Sequence, residues 1–305
     1  MKLIQHKNTE TDNKHVGCYI NSKWKIIDDA SVGIIDILNL SEGEIEDKYK
    51  TREVSAINPQ QVLFPIAYRD FMLYEKHAIN AAMGFAKKYL PNIYPIAKLY
   101  KKIFGKPVSK LRPSARYYKY PIYYMGNHLN IKSDMSEIKK PEYTEELDYE
   151  LEIGAILSKP LKNASLQEAS DAIGGYVILN DFSARDIQID EMQAGFGPMK
   201  SKNFASSISN VIISKSSINE RIEDLKVKVL INGEEIVSTN SKGKLFSFEE
   251  AIAYASWEEE LHAGELFGSG TIPMCTGIEN GRMLKPGDTI RLEVEELGSL
   301  TNTII

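Results

Sequence analysis

The run Glu146-Leu147-Asp148-Tyr149-Glu150-Leu151-Glu152-Ile153-Gly154-Ala155-Ile156-Leu157 sets how the rest of the chain is read. Its first half alternates as a β-strand does, so Glu150 and Glu152 share one face while Leu151 and Ile153 take the other. Two carboxylates side by side on one face repel each other unless something positive lies between them. The second half, Ile153 to Leu157, is apolar throughout and reads as buried, which argues against a strand whose acids simply face water. About thirty residues on, a continuous apolar strand, Gly175-Tyr176-Val177-Ile178-Leu179, runs into Asn180-Asp181-Phe182-Ser183-Ala184-Arg185-Asp186-Ile187-Gln188. Site residues tend to sit where a strand ends in such a polar cluster. Asp181 there supplies a third carboxylate. A donor set of Glu150, Glu152 and Asp181 offers oxygen only, which suits Mg²⁺, Mn²⁺ or Ca²⁺ rather than zinc or copper. Asp181 or Ser183 is expected to cap a helix that begins just after, with Asp186 near its positive end.

The chain has 305 residues, enough for one large domain or two unequal ones. A hydrophobic share of 43% and a charged share of 26% place it among ordinary soluble proteins. The net charge of −5 and pI near 5.7 argue against nucleic acid or an anionic membrane as partner. No apolar run approaches the roughly 20 residues that span a bilayer, and the opening Met1-Lys2-Leu3-Ile4-Gln5-His6 has no signal-peptide core. Cys18 and Cys275 form neither a zinc set nor a disulfide framework, so a cytoplasmic location is expected.

Outward from the opening run, Val16 to Ile20, Trp24 to Ile27 and Gly33 to Leu38 are short apolar runs of a small β-rich unit. Asn58-Pro59 and Phe64-Pro65 punctuate the chain after it. The expected division is an N-terminal β-rich domain at 1–60 and a main domain at 61–305. Apolar spacing from Asp70 to Ala86 predicts a helix, and Ser247 with Glu250 forms a capping box that predicts another through His262. The segment from Tyr89 to Lys119 is basic, aromatic and Pro-punctuated. It reads as one short helix among loops, an insertion or a cap over a site, whose Lys98, Lys101, Lys102, Lys106 and Lys110 form a solvated face or, as the lesser alternative, favour a second acidic group on the substrate. Strands outnumber helices and do not alternate with them as crossovers. An α+β protein with a large mixed or antiparallel sheet is therefore expected.

Four stretches carry a resemblance. LDYELE at 147–152, GYVILNDFSARDIQ at 175–188, Lys202-Asn203-Phe204 and Gly268-Ser269-Gly270-Thr271 are similar, in order and approximate spacing, to the successive motifs of the fumarylacetoacetate hydrolase superfamily. The similarity spans roughly residues 62 to 300. It implies a β-rich catalytic domain, a bound Mg²⁺, Mn²⁺ or Ca²⁺, a small 2-oxo or β-diketo acid as substrate, and a homodimer. By the same resemblance Glu150, Glu152 and Asp181 are metal ligands, joined by Asp70 as a fourth. His77 becomes the catalytic base and Glu279 the acid that orients it. Lys202 and Gln188 become groups that stabilise an oxyanion, and Tyr124, Thr271 and Arg185 substrate contacts, with Arg185 also able to pair with Asp186 or another acid. Asn80 stands where the acylpyruvase and decarboxylase branch has a glutamate, and Met192 and Ala86 replace a tyrosine and an arginine of the fumarylacetoacetase branch.

The resulting expectation is metal-dependent hydrolysis of a C–C bond in a β-diketo or acylpyruvate-type acid, with His77 and Glu279 activating water. A lyase of a 2-oxo acid (hydratase, dehydratase or decarboxylase) is the alternative on the same scaffold. A non-catalytic metal-dependent binding protein is the third reading.

Overall fold

The computed structural model describes residues 1–8 and 11–305. At its centre, strand Leu151–Leu157 pairs antiparallel with Ile173–Asp181, Leu151 opposite Asn180 and Glu152 opposite Leu179. Every residue of both strands is buried, which explains why their middles read as unbroken apolar runs. Beyond Leu151–Leu157 lies the short strand Leu266–Gly268, then Tyr68–Phe71 parallel to it, then Tyr123–Gly126 antiparallel at the edge. On the other side the sheet continues through Val211–Ser214 to Lys2–Lys7, Lys14–Ile20, Lys23–Ile27 and Thr51–Val54. A second sheet joins Glu234–Asn240, Lys226–Ile231, Thr289–Val294, Gly298–Ile304 and Glu137–Ile138. The α+β architecture with a large mixed sheet is as expected.

Alternation sorts the side chains of the central strands into two cores. Ile153, Ala155, Tyr176 and Ile178 face Val229 and Leu292 of the second sheet and the helix Phe248–Ala255. Ile156, Val177, Leu179 and Tyr68 face the other way, against Val16, Ile20 and Ile45 of the N-terminal segment. That second row matters for function. Glu152 lies four residues before Ile156 on the same face, Asp181 two residues after Leu179, and Asp70 two after Tyr68. Three acids thus continue three apolar rows past the end of one core.

Local expectations fared unevenly. Ser165 and Ser247 cap their helices with reciprocal Glu168 and Glu250 boxes. The second helix stops at Ala255, well short of His262, because the Ser256 hydroxyl turns back to the Ala253 carbonyl at 2.8 Å and Glu258 takes a left-handed backbone, φ 58°. Gly33–Leu38 holds a short helix, Ile34–Ile37, with Ile34, Ile37 and Leu38 buried at helical spacing. The helix expected over 70–86 begins later, at Glu75, and runs to Tyr89. Asp70 belongs instead to the Tyr68–Phe71 strand, because pairing on both sides outweighs the local 3.6-residue pattern. The Tyr94–Phe104 helix is the one short helix read in the 89–119 segment, followed by a 3₁₀ turn at Ser109–Leu111. Among the described residues no helix is long and apolar enough to cross a membrane.

Candidate metal and proton-transfer site

Asp70, Glu152 and Asp181 come from three strands and each presents an oxygen within 4.8 Å of the others. Gly268 makes this possible: it sits opposite Asp70 in the parallel ladder, and a Cβ there would lie 2.7 Å from Asp70 Oδ1 and 2.8 Å from Glu152 Oε2. All three acids are buried, and burial together with the charges of their neighbours pushes Asp70 and Glu152 well above ordinary carboxylate values. Asp181 is also raised, by burial first, although the nearby Lys202 ammonium opposes the shift.

Asp70 Oδ1 and Glu152 Oε1 are fully enclosed and accept no hydrogen bond, as is the Thr271 hydroxyl. Unpaired buried oxygens on crowded carboxylates cost several kcal/mol, of order 1–3 for each group. Orphaned oxygens, an all-carboxylate donor set and excess negative charge together fit a hard divalent cation.

Glu150, read from the sequence as a ligand, faces two cationic side chains. Its Oε1 accepts from Arg185 Nη2 at 2.6 Å and its Oε2 from Lys202 Nζ at 2.5 Å. Burial would raise its pKa, but the charges of Lys202 and Arg185 outweigh burial and hold it low. Lys202 also contacts Asp181 Oδ2, so its ammonium bridges Glu150 to the carboxylate trio. Burial acts to lower the lysine's pKa, and the Asp181 and Glu150 charges overcome it and keep the group protonated. Tyr124, directly opposite Asp70 in the edge ladder, donates its hydroxyl to Asp181 Oδ2 at 2.8 Å.

His77 and Glu279 meet although 202 positions separate them: His77 Nδ1 lies 2.5 Å from Glu279 Oε1. With Nδ1 turned to a carboxylate, Nε2 is the ring atom left to exchange a proton. Glu279 Oε2 accepts from Asn80 Nδ2 at 2.9 Å and from the Met274 amide at 3.0 Å, so the acid is held at both oxygens. A glutamate at position 80 would set a second negative charge against this one, and asparagine supplies a donor instead. The helix Glu75–Tyr89 is drawn close to Gly277–Asn280 at Gly84, where a Cβ would lie 2.2 Å from the Ile278 carbonyl oxygen.

Arg185 starts the helix Arg185–Ala194, and its guanidinium is closed in by protein. Nε donates to Asp148 at 2.7 Å, Nη1 to Gln188 Oε1 at 2.8 Å, and Nη2 to Glu150 and Thr276. Asp186 is not its partner. That acid instead accepts from the Thr144 hydroxyl and the Glu145 amide. Neither Asp181 nor Ser183 caps the helix: Ala184 is at the cap position, and the Ser183 hydroxyl turns to the Asp181 carbonyl. Gln188 has its carbonyl fixed by Arg185, so its amide nitrogen is the end left to donate.

One residue of the opening run was assigned no role from sequence. Asp148 is fully buried and accepts from Arg185 Nε, the Thr276 hydroxyl and the amides of Tyr149, Gly277 and Ile278. The last two amides open the Gly277–Asn280 helix that carries Glu279. One carboxylate thereby braces both Arg185, which holds Glu150, and the helix that holds Glu279. Its signal was present, since Asp148 precedes Glu150 by two residues on an alternating strand.

Comparison with known proteins identifies the family. Residues 97–305 match the family profile described as "Fumarylacetoacetate (FAA) hydrolase C-terminal", and the chain belongs to that family. It is 35% identical over 167 residues to the oxaloacetate tautomerase YisK of Bacillus subtilis (strain 168), a match covering 53% of this chain and 54% of that protein. The chain therefore aligns with only about half the length of that curated relative. The fumarylacetoacetate hydrolase of psychrophilic Exiguobacterium antarcticum shares the fold at 18% identity, with a TM-score of 0.72 over 100% of this chain and 99% of the other. The fumarylpyruvate hydrolase of Pseudomonas aeruginosa, solved in complex with Mn²⁺ and pyruvate, does so at 17% identity and a TM-score of 0.59 over 83% and 92%.

Proposed function

We propose that this chain is a divalent-metal-dependent enzyme of small 2-oxo acids in which His77, oriented by Glu279, moves a proton at the carbon next to the keto group. The observation that carries the reading is the buried 2.5 Å His77–Glu279 pair together with a trio of carboxylates suited to a cation. Asp70, Glu152 and Asp181 would hold that cation, whose chemistry is that of a Lewis acid on the substrate carbonyl. Glu150 and Lys202 set the charge around them, Tyr124 orients Asp181, and the enclosed Thr271 hydroxyl is left without a partner. Arg185 takes a positioning role in place of a substrate contact, because its donors are already committed.

Keto–enol tautomerisation moves one proton between that carbon and the carbonyl oxygen: His77 would exchange it at carbon while the oxygen exchanges its proton with solvent, and no water has to be placed for attack on the carbonyl. The name of the Bacillus subtilis relative supports it. Hydrolysis of an acylpyruvate is the second reading, favoured by Gln188, whose free amide nitrogen suits an oxyanion. Decay of the oxaloacetate enol and release of pyruvate from acylpyruvates should be followed side by side, with Mg²⁺ or Mn²⁺ and with EDTA. Metal-dependent enol decay is the expected result. Pyruvate release with no effect on the enol would transfer the assignment to hydrolysis, and inactivity toward both would remove the two together. A homodimer belongs to the same reading and is checked by sedimentation velocity.

The raised acids give a pH signature. Asp70 and Glu152 have ordinary values of 3.8 and 4.5, above which the unfolded chain has lost protons that the metal-free native protein still holds. Fewer protons on the unfolded side make native stability fall as pH rises through this window. A divalent cation replaces those protons, so its stabilisation should grow with pH, reaching about 2.7 kcal/mol at a hundredfold excess over Kd. Thermal unfolding with Mn²⁺ or EDTA across pH 5 to 8 measures this (roughly the range where native proteins are most stable). A cation effect that shrinks as pH rises contradicts the assignment.

We also propose that residues 1–60 form a small unit hooked to the main sheet by the Lys2–Lys7 strand, which pairs with Val211–Ser214. Limited proteolysis should cut first near Ser55–Asn58, between the strands Thr51–Val54 and Pro59–Gln60. A first cut within the main domain would count against that division.

A further inference from the structure

From Lys76 to Ser133 the sequence contains twelve Lys and Arg and not one Asp or Glu, although the chain as a whole is acidic. The whole-chain charge that argued against an anionic surface therefore averages over a strongly uneven distribution. Inside this basic stretch stands the Tyr94–Phe104 helix. Ala97 is buried and docks the helix on the body, while Ile96, Leu99 and Ile103 are 68%, 57% and 65% exposed. Residues three and seven apart fall within an arc of about 60° on a helix, so these three form one apolar stripe pointing away from the protein. Ile93 and Phe104 extend it at either end, both more than half exposed. Lys98 and Lys102 are exposed beside the stripe, and among the described residues neither they nor Lys101 and Lys106 form an ion pair.

We propose that this helix is a peripheral docking element for an anionic lipid surface, laying Ile96, Leu99 and Ile103 into the interface while the lysines meet the headgroups. An exposed apolar patch of this kind is unusual on a soluble protein. An amphipathic helix with aliphatic and aromatic residues on one face and lysines on the other is the form that interfacial helices take. Charge decides the occupant. A second copy docked symmetrically on the same face would bring two lysine clusters together, with no acid in either segment to pair them. An anionic bilayer complements both the stripe and the charge.

The test is co-sedimentation of the full chain with large vesicles of phosphatidylcholine alone, or of phosphatidylcholine with about a third phosphatidylglycerol. Binding is expected to the anionic vesicles only and to weaken with added salt. Two helix-surface variants separate the terms: Ile96→Ser/Leu99→Ser/Ile103→Ser and Lys98→Gln/Lys101→Gln/Lys102→Gln. At roughly fivefold per lysine, the second should lose about a hundredfold in vesicle affinity. The first should lose at least as much, with the thermal transition of each unchanged. Failure to bind anionic vesicles overturns the proposal, as does binding that survives both triple variants. If the apolar variant instead changes the sedimentation coefficient in the absence of lipid, the stripe is a subunit interface and the proposal falls.

Discussion

Replacing His77 with alanine is expected to lower turnover by roughly a hundred- to ten-thousandfold, the range general acid–base catalysis supplies. The same change should leave Mn²⁺ affinity nearly intact, because the imidazole is not one of the three clustered oxygen donors. Glu279→Gln should fall by a smaller factor. Glutamine keeps a hydrogen-bond acceptor for Nδ1–H but removes the charge that stabilises an imidazolium, and its amide group would oppose the Asn80 and Met274 donors that now reach Oε2. Kinetics and isothermal titration with Mn²⁺ on the same preparations separate the two effects. Full activity in His77→Ala would remove the proton-transfer assignment whatever substrate is used.

The second large effect is expected at Asp148. Asp148→Ala strips the acceptor from a buried arginine, a hydroxyl and three amides at once. Breaking a buried ion pair from one side costs about 3–5 kcal/mol, chiefly because the remaining charge has no partner. The change should lower thermal stability and disturb both halves of the site: Glu150 through Arg185, and Glu279 through its helix. A simple loss of fold would look similar, so the discriminating measurement is a double-mutant cycle with Arg185→Met. Removing both charges should cost clearly less than the sum of the single changes. The double variant should recover a cooperative unfolding transition but not full turnover, since Glu150 and Gln188 lose their anchor with Arg185. Additive costs would show that Asp148 and Arg185 are not coupled.

Much of the site was legible residue by residue, but its arrangement was not. Alternation along Asp148–Glu152 placed the acids on one face, yet it assigned neighbours within the strand rather than across it. Two acids two residues apart look like partners in sequence. In the folded chain Glu152 turns to Asp70 and Asp181, while Glu150 turns to Arg185 and Lys202. Asp70 was placed on a helix because Phe71, Tyr74 and Ala78 recur at helical spacing. A four-residue strand between two partners has little local signal, and its pairing energy comes from Leu266–Gly268 and Tyr123–Gly126, both far along the chain. The basic 89–119 segment shows the same gap in another form, since its composition suggested one short helix with solvated lysines but not the apolar stripe Ile96, Leu99 and Ile103 that the fold leaves uncovered.

The sequence by itself determined the kinds of chemistry present: strands with buried centres, acids that offer only oxygen, a histidine with a distant glutamate, and the order of motifs that marks the family. These depend on side-chain identity and on periodicity within a few residues, which a linear chain carries in full. The tertiary structure alone decided which charges face each other. Gly268 opens room for Asp70 beside Glu152 by having no side chain, and Asp148 ties two distant segments through one carboxylate. Electrostatic roles follow distances of a few ångströms between residues as much as 202 positions apart, and only the register of the sheet fixes those distances.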